Sequence, residues 1–208
     1  MNPTYVSKTL ITASSTGLGT ISSAGVNTLN SSQIDTQRRI IIWSTGATLA
    51  SADFTIVGTR EGGGSLRETI SGPSSNTAVA TTQDFLSVTS ISVSSVITNQ
   101  ATIGTNSVGS TPWRLIDIFA TVINVGVAVI SPSTLTNYTV EYTYEDPTGT
   151  FPTLSSAAGP TPFIMAALNA KTGTLDSNII TPVSAVRLTI NSNSTTGAAT
   201  MVVLQGGV

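Results

Sequence analysis

The fold is decided by one stretch, FTIVGTREGGGSLRETISGP (residues 54–73), in which two strand-like runs flank a cluster of glycines. The first run, FTIVG, is rich in the aromatic and β-branched residues that favour strands. The second run, SLRETIS, alternates apolar and polar side chains and stops at Gly72-Pro73. The pattern predicts a β-hairpin whose turn is the glycine-rich EGGG.

The same stretch also contains the spacing of a phosphate-binding loop. Gly58 to Ser65 spells GTREGGGS, with Gly64 where the phosphate-binding lysine of such a loop stands. A phosphate loop also needs a following helix whose N-terminus faces the phosphate. Because SLRETISGP is short and strand-like, we interpret the glycines as a turn and predict no nucleotide or other cofactor.

Short strand-like runs alternate with turn clusters from residue 38 onward, a pattern typical of all-β sandwiches and barrels. We predict a β-sandwich of jelly-roll or immunoglobulin-like type. The predicted strands are Ile40–Trp43, Phe54–Thr59, Leu66–Ile70, Phe85–Val96, Trp113–Phe119, Ile123–Ile130, Tyr138–Tyr144, Val186–Ile190 and Thr200–Leu204.

One short helix is predicted between the last strands. The stretch from Pro147 to Pro182 is too long for a plain loop in a compact domain. Within it, Thr161-Pro162 supplies an N-cap and a proline at the first helical position, and Gly173 closes the run.

The domain organisation has three predicted parts. Residues 1–36 are mostly Ser, Thr, Gly and Asn, which indicates an extended N-terminal arm that orders on a neighbour, or irregular strands laid over the body. A turn signal at Gly109–Pro112 divides the remainder into two sandwich units, 37–112 and 113–208, with one continuous domain as the alternative.

Composition excludes several classes of chemistry. Charged residues make up 9 % of the 208 residues and the formal net charge is -2, so we expect neither nucleic acid nor a membrane as a partner. The most apolar run, Leu115–Ile130, is interrupted by Asp117 and is shorter than the ~20 residues of a membrane helix. Cysteine and histidine are absent, which excludes thiol chemistry, Ser-His-Asp catalysis and the usual zinc sites.

Carboxylates are the remaining candidates for catalysis, because a glycosidase needs two of them facing a cleft. In NYTVEYTYEDP (137–147), alternation places Glu141 on a face that we interpret as solvated, and Glu145 opens a turn. We therefore predict no catalytic, cofactor-binding or metal-binding residues. The ten carboxylates are Asp35, Asp53, Glu61, Glu68, Asp84, Asp117, Glu141, Glu145, Asp146 and Asp176.

The aromatic and basic side chains have structural interpretations as well. Tyr138, Tyr142 and Tyr144 share the other face of the same strand, which predicts core or interface positions, with a stacking platform for sugars or bases as the alternative. Trp43 and Trp113 carry the same preference for the core. The adjacent pair Arg38 and Arg39 is interpreted as solvated or ion-paired at a strand start.

Several runs together resemble a known group of proteins: RRIIIWSTG (38–46), DFTIVGTREGGGSLRETISGP (53–73), DFLSVTSISVSS (84–95), NYTVEYTYEDP (137–147), TPVSAVRLTI (181–190) and VVLQGG (202–207). They resemble structural proteins encoded by tailed bacteriophages, in which a strand pair ending in a Glu-Thr-Ile-x-Gly-Pro-like run precedes a Val-Thr-Ser-Ile strand. The resemblance extends over most of residues 38–208 and does not cover the N-terminal segment.

The resemblance implies a non-enzymatic virion protein, in particular a capsid decoration (cement) protein that binds the major capsid protein lattice and stabilises the head. Its partners would be the major capsid protein and neighbouring copies of itself, and it would be made in the host cytoplasm and reside in the virion. The alternative is a tail, collar or fibre component that contacts the host surface. A third hypothesis, a carbohydrate-active enzyme, would need Glu141 or Glu145 for catalysis.

Overall fold

The computed structural model describes residues 4–9, 14–22, 24–27, 29, 34, 36–44, 46–60, 63–97, 99–119, 124–132, 136–147, 160–193 and 198–205. No α-helix occurs in this part of the chain, and the predicted all-β class is confirmed. The strands are β1 (Thr4–Thr9), β2 (Ser14–Ile21), β3 (Gly25–Asn27), β4 (Gln37–Ser44), β5 (Asp53–Thr59), β6 (Ser65–Ser71), β7 (Ala78–Ala80), β8 (Ser87–Val93), β9 (Ala101–Ser110), β10 (Arg114–Leu115), β11 (Val125–Ile130), β12 (Thr136–Thr143), β13 (Phe163–Ile164), β14 (Leu175–Ile179), β15 (Ala185–Asn193) and β16 (Ala198–Gln205).

The chain divides into two compact units, each with its own hydrophobic core. Among the described residues, unit 1 draws on the ranges 1–12, 107–155 and 159–208, and unit 2 draws on 13–106. Among the described side chains, the core of unit 2 lies between Leu18 and Ile103, and that of unit 1 lies between Ile116 and Val203.

Unit 2 contains two sheets that contribute to one core. One sheet has the strand order β3-β8-β5-β6, and the other contains β2, β4, β7 and the first part of β9. Strands β5 and β6 pair from Asp53↔Ser71 to Thr59↔Ser65, which confirms the predicted hairpin; residues 61 and 62 of its turn lie outside the described part. Buried core side chains come from both sheets, including Leu18, Ile40, Ile42, Phe54, Ile56, Ile91 and Ile103.

Unit 1 has the same kind of layering. One sheet has the order β1-β16-β11-β14, and the other contains β13, β12 and β15, with β10 and the end of β9 also paired to β15. Because side chains alternate between the two faces of each strand, buried core residues recur at alternate positions along much of β11, β12, β15 and β16. These core residues include Val127, Tyr138, Val140, Leu188, Ile190 and Met201.

The N-terminal segment, residues 1–36, contains strands that pair within the chain. β1 pairs with β16, β2 with β9, and β3 with β8. Leu18 and Ile21 are fully buried in the core of unit 2. The described residues of this segment thus form strands laid over the body, which is the second of the two interpretations. Residues 1–3, 10–13 and 30–33 are among those outside the described part of the chain.

The strand predicted at Trp113–Phe119 is wrong in its length. Only Arg114–Leu115 is a strand, which pairs with β15. Beyond it, the Phe119 amide donates to Asp117 Oδ1 (2.9 Å), a local turn bond that competes with strand pairing. Ile123, where the next strand was predicted to begin, lies outside the described residues, and β11 follows.

The helix predicted after Thr161 is also wrong, because β13 and one 3-10 turn (Ala166–Leu168) take its place. The segment follows the edge of β12: the Met165 amide donates to the Val140 carbonyl (3.0 Å), and the amide of Lys171 donates to the carbonyl of Tyr138 (2.8 Å). Pairing with a strand edge satisfies backbone groups that a helix satisfies internally.

Tyr138 gives unit 1 a measurable dependence on alkaline pH. Its hydroxyl donates to the Gly173 carbonyl (2.9 Å), and burial raises the pKa of Tyr138 above its usual value. Near pH 7 we expect Tyr138→Phe to lower the free energy of unfolding by about 1 kcal/mol through loss of that hydrogen bond.

The difference in stability between the natural protein and the Tyr138→Phe variant depends on pH. Above pH ~10 the tyrosine ionises in the unfolded chain before it ionises in the folded one, and this stabilises the unfolded state of the natural protein. The phenylalanine variant has no such group, so its stability does not fall for this reason. The gap between the two should therefore narrow as pH rises, as measured by denaturant unfolding between neutral and alkaline pH. A gap that is constant with pH would contradict this account of Tyr138.

Candidate functional site

The glycine-rich hairpin forms a tight turn and is followed by strand β6. Arg60 donates its amide to the Gly64 carbonyl (2.8 Å), and Gly63, at φ 78°, donates its amide to the Arg60 carbonyl (3.1 Å). At Gly58 the backbone of β8 passes so closely that a side chain would overlap the Ser87 carbonyl group. Gly63 and Gly64 therefore belong to the turn that the hairpin interpretation predicts, and Gly58 permits a close strand contact that the sequence did not indicate.

Glu141 forms an ion pair on the face of β12 opposite the core. Its Oε2 lies 2.7 Å from Arg187 Nε and accepts a hydrogen bond from the Thr189 hydroxyl (3.1 Å). The Arg187 guanidinium lies 4.6 Å from the centroid of the Trp113 ring. The Arg187 and Glu141 side chains are only 14 % and 15 % exposed, and the threonines two residues before and after Glu141 are buried. The interpretation of this face as solvated is therefore wrong.

Two other carboxylates hold loops in place. Glu145 accepts hydrogen bonds from the Thr161 amide (2.9 Å) and hydroxyl (3.1 Å). Glu68 accepts from the Thr82 amide (2.7 Å), the Thr82 hydroxyl and the Gln83 amide. Glu141 and Glu145, the two candidates for a catalytic pair, thus have different hydrogen-bonding partners. Across the described ranges, no group of three or more acidic side chains is arranged to hold a metal ion.

The adjacent arginines have different environments. Arg38 is buried in unit 2, where Nη1 donates to the Asn106 carbonyl (3.1 Å), so the solvated interpretation fails for this residue. Arg39 Nε lies 3.6 Å from Asp84 Oδ1, as the ion-paired interpretation predicts. Within the described part of the chain, no helix has the length and apolar character of a membrane span.

Three aromatic rings lie together on the surface of unit 1, and we call Tyr142, Tyr144 and Phe163 the aromatic cluster. Tyr142 and Phe163 are stacked with centroids 5.8 Å apart, and Tyr144 meets them edge-on at 5.6 and 5.3 Å. Tyr144 is 52 % exposed and Phe163 42 %, whereas Tyr142 is half-buried against the core. Of the three tyrosines predicted to share a core face, only Tyr138 is fully buried.

Backbone pairing and one carboxylate position these rings. Tyr142 lies directly opposite Phe163 in the β12–β13 register, and Tyr144 follows on the same side. Burial, and then the hydrogen bond and charge of the Tyr144 hydroxyl, raise the pKa of Tyr142 above its usual value. Glu145, next to Tyr144, binds Thr161, which precedes Phe163 by two residues. The Glu145–Thr161 contact thus connects the two chain segments that carry the rings.

A second exposed apolar feature is the segment 114–119, which we call the apolar loop. Phe119 is 90 % exposed, Leu115 61 % and Ile118 48 %. Their backbone is held by Gln205 of β16, whose side chain accepts from the Asp117 amide (2.9 Å) and donates to the Asp117 carbonyl (2.5 Å). The Asp117 carboxylate in turn accepts from the Phe119 amide. The apolar side chains therefore project from a loop with defined backbone contacts.

The sequence predicts two of the three rings, Tyr142 and Tyr144, as core or interface positions with a stacking platform as the alternative, but it predicts neither Phe163 beside them nor the apolar loop. The apolar loop was predicted to be a strand, and Phe163 was placed in a helix, although Ile118-Phe119 next to Asp117 is a usable signal for an exposed turn. No protein-family model matches this chain, and a search of curated proteins finds no match either.

Proposed function

We propose that this chain is a non-enzymatic structural protein of a tailed-bacteriophage virion, a capsid decoration protein that binds the major capsid protein lattice and stabilises the head. The observation that carries the proposal is the apolar loop, a set of exposed apolar side chains on a charge-poor all-β body. The strand-and-turn resemblance to tailed-phage structural proteins supports the same proposal.

The apolar loop has the properties of a protein-docking element. A side chain as exposed as that of Phe119 gains most from burial when a partner covers it, and aromatic residues are enriched among the residues that dominate binding energy. The hydrogen bonds between Asp117 and Gln205 hold the backbone before binding, so little conformational entropy is lost on docking. Repeated over many lattice positions, such contacts add buried area to the shell.

Location and copy number on purified virions test the proposal. A decoration protein is expected in hundreds of copies per particle, on the head, in proportion to the major capsid protein. Quantitative mass spectrometry together with electron microscopy of labelled particles measures both quantities. Tens of copies or fewer, confined to the tail, collar or fibres, would overturn the decoration role and favour the component that contacts the host surface.

The apolar loop itself is tested by Phe119→Ser. We expect at least a tenfold loss of affinity for virions whose own copy of the gene is deleted, because burial of an aromatic anchor typically contributes ~2 kcal/mol or more. The thermal unfolding midpoint should not change, since the side chain is exposed. The matched control is Ile180→Ser, at an equally apolar residue of unit 1 that is 73 % exposed. Equal occupancy by the Phe119 variant and the natural chain would exclude the loop from docking.

A further inference from the structure

The aromatic cluster shares no residue with the apolar loop that supports capsid docking, and its geometry suits a ligand. Its rings are partly exposed on a body whose polar surface is built mainly from hydroxyls and amides. Exposed aromatic groups that lie side by side are uncommon on a monomer surface and often mark a binding site.

The packing of the rings excludes a cation cage. A quaternary ammonium ligand needs aromatic rings arranged around an open space, so that several faces point at the charge. Here the centroids of Tyr142, Tyr144 and Phe163 are 5.3 to 5.8 Å apart, so the rings fill the space between them with one another. What they offer a ligand is an outer surface of ring faces and edges.

The polar groups beside the rings favour a neutral partner that donates hydrogen bonds. An ionised carboxylate has about four lone-pair sites, and Glu145 uses two of its hydrogen bonds on Thr161. Its remaining acceptor capacity lies next to Tyr144 in the chain, and the tyrosine hydroxyls add donors and acceptors. A carboxylate that follows Tyr144 in the chain and contacts Thr161, together with a net charge of -2, disfavours phosphate-bearing and sulfate-bearing ligands.

We propose that Tyr142, Tyr144, Phe163 and Glu145 form a binding site for neutral saccharides. A pyranose ring presents a face of C–H groups, which packs on the electron-rich face of an aromatic ring, and an edge of hydroxyls, which donate to a carboxylate. This site is additional to capsid attachment. It would let the protein bind neutral glycan chains while the protein itself is attached to the virion.

The site is also built before any ligand arrives. Ser184 fixes the β12 end by donating its amide to the Thr143 carbonyl (2.8 Å) and its hydroxyl to the Tyr144 carbonyl (2.7 Å). Phe163 is fixed by its register opposite Tyr142 and by the nearby Glu145–Thr161 contact. Rings held by backbone pairing lose little freedom on binding, which raises affinity.

The test is titration of the full chain with cellohexaose, maltohexaose and chitohexaose, followed by NMR and calorimetry, with heparin as the anionic comparison. We expect at least one of the neutral hexaoses to bind with a Kd of about 1 mM or tighter, and heparin not to bind. Tyr144→Ala should weaken binding at least tenfold, and Tyr144→Phe, which keeps the ring, should retain most of it. Leu204→Ala, at an exposed residue of β16, is the matched control and should bind as the natural chain does.

Three outcomes would overturn the saccharide site. These are no binding by any neutral hexaose, binding that survives Tyr144→Ala at full strength, or a change of oligomeric state with Tyr144→Ala in place of any effect on saccharides. The last outcome would identify the cluster as an interface between protein chains. Thermal unfolding of each variant establishes that a loss of binding is not a loss of folding. Capsid occupancy of the Tyr144→Ala variant is measured separately, so failure of this site and failure of the decoration role remain distinguishable.

Discussion

Replacing Gly58 by alanine is expected to destabilise unit 2 by about 3 kcal/mol, because the new methyl group would overlap the Ser87 carbonyl of the neighbouring strand. The obstacle is backbone, which cannot rotate away as a flexible side chain can. The β5–β8 register shifts between Val57 and Gly58, so the close approach is part of the strand pairing itself. If Gly58 belonged to a phosphate-binding loop, its replacement would instead reduce nucleotide binding and leave the free energy of unfolding unchanged.

Fluorescence can follow this unit separately, since the chain has two tryptophans and Trp43 lies in unit 2. In a Trp113→Phe background, urea unfolding therefore reports on unit 2. Gly63→Ala is the matched control. Its φ of 78° is left-handed, but apart from its chain neighbours no atom of a described residue lies within 4 Å of the added methyl group, so we expect a cost of only ~1 kcal/mol. Equal effects of the two substitutions would contradict the steric explanation for Gly58.

Removing the arginine from the Glu141–Arg187 pair should have the next largest effect. Arg187→Met keeps an apolar stem against Trp113 but leaves the largely buried Glu141 carboxylate without its cation. Complete burial would make this cost roughly 3–5 kcal/mol, and the residual solvent access of both side chains lowers our expectation to about 2 kcal/mol.

The double variant Arg187→Met with Glu141→Gln distinguishes two costs. One is the loss of the ion pair, and the other is the burial of an unpaired Glu141 carboxylate. Glutamine is neutral and can still accept from the Thr189 hydroxyl, so we expect the double variant to recover at least ~1 kcal/mol relative to Arg187→Met alone. Urea unfolding followed by Trp113 fluorescence, in a Trp43→Phe background, measures each corner of the cycle. Strictly additive effects would show that the two side chains do not stabilise one another.

The parts of the fold that were predicted correctly are those that local sequence determines. The β5–β6 hairpin followed from β-branched runs around glycines, and the same alternation located β12 and β15. β9 was missed because its sequence, ATIGTNSVGS, is rich in residues typical of turns. It is a strand because neighbouring strands pair with it, and no local signal reports that.

The candidate sites depended even more on distant partners. Phe163 follows good helix-start signals, yet pairing with Tyr142 makes it part of an edge strand. Glu141 has the alternation of a solvated position, but Arg187, 46 residues away, pairs with it and packs against Trp113. Tyr138 and Tyr144 fall on the same face by sequence alternation, yet Tyr138 is buried and Tyr144 is exposed, because β12 ends before Tyr144. Periodicity assigns a side chain to a face and does not tell which neighbours cover that face.

The pairing of β1 with β16 has a consequence for biosynthesis. Thr4 lies opposite Val203, so β1 leaves the ribosome first and has no partner until the chain has been made through β16. The core of unit 2, from Leu18 to Ile103, is complete in sequence long before that moment. β1 therefore joins last, and until it does, one edge of β16 has unsatisfied backbone groups that a β1 strand from another nascent chain can fill. Refolding at low protein concentration should favour monomers in which β1 pairs with β16 of the same chain. Synthesis on polysomes, where nascent chains are close together, should favour exchange of β1 between chains.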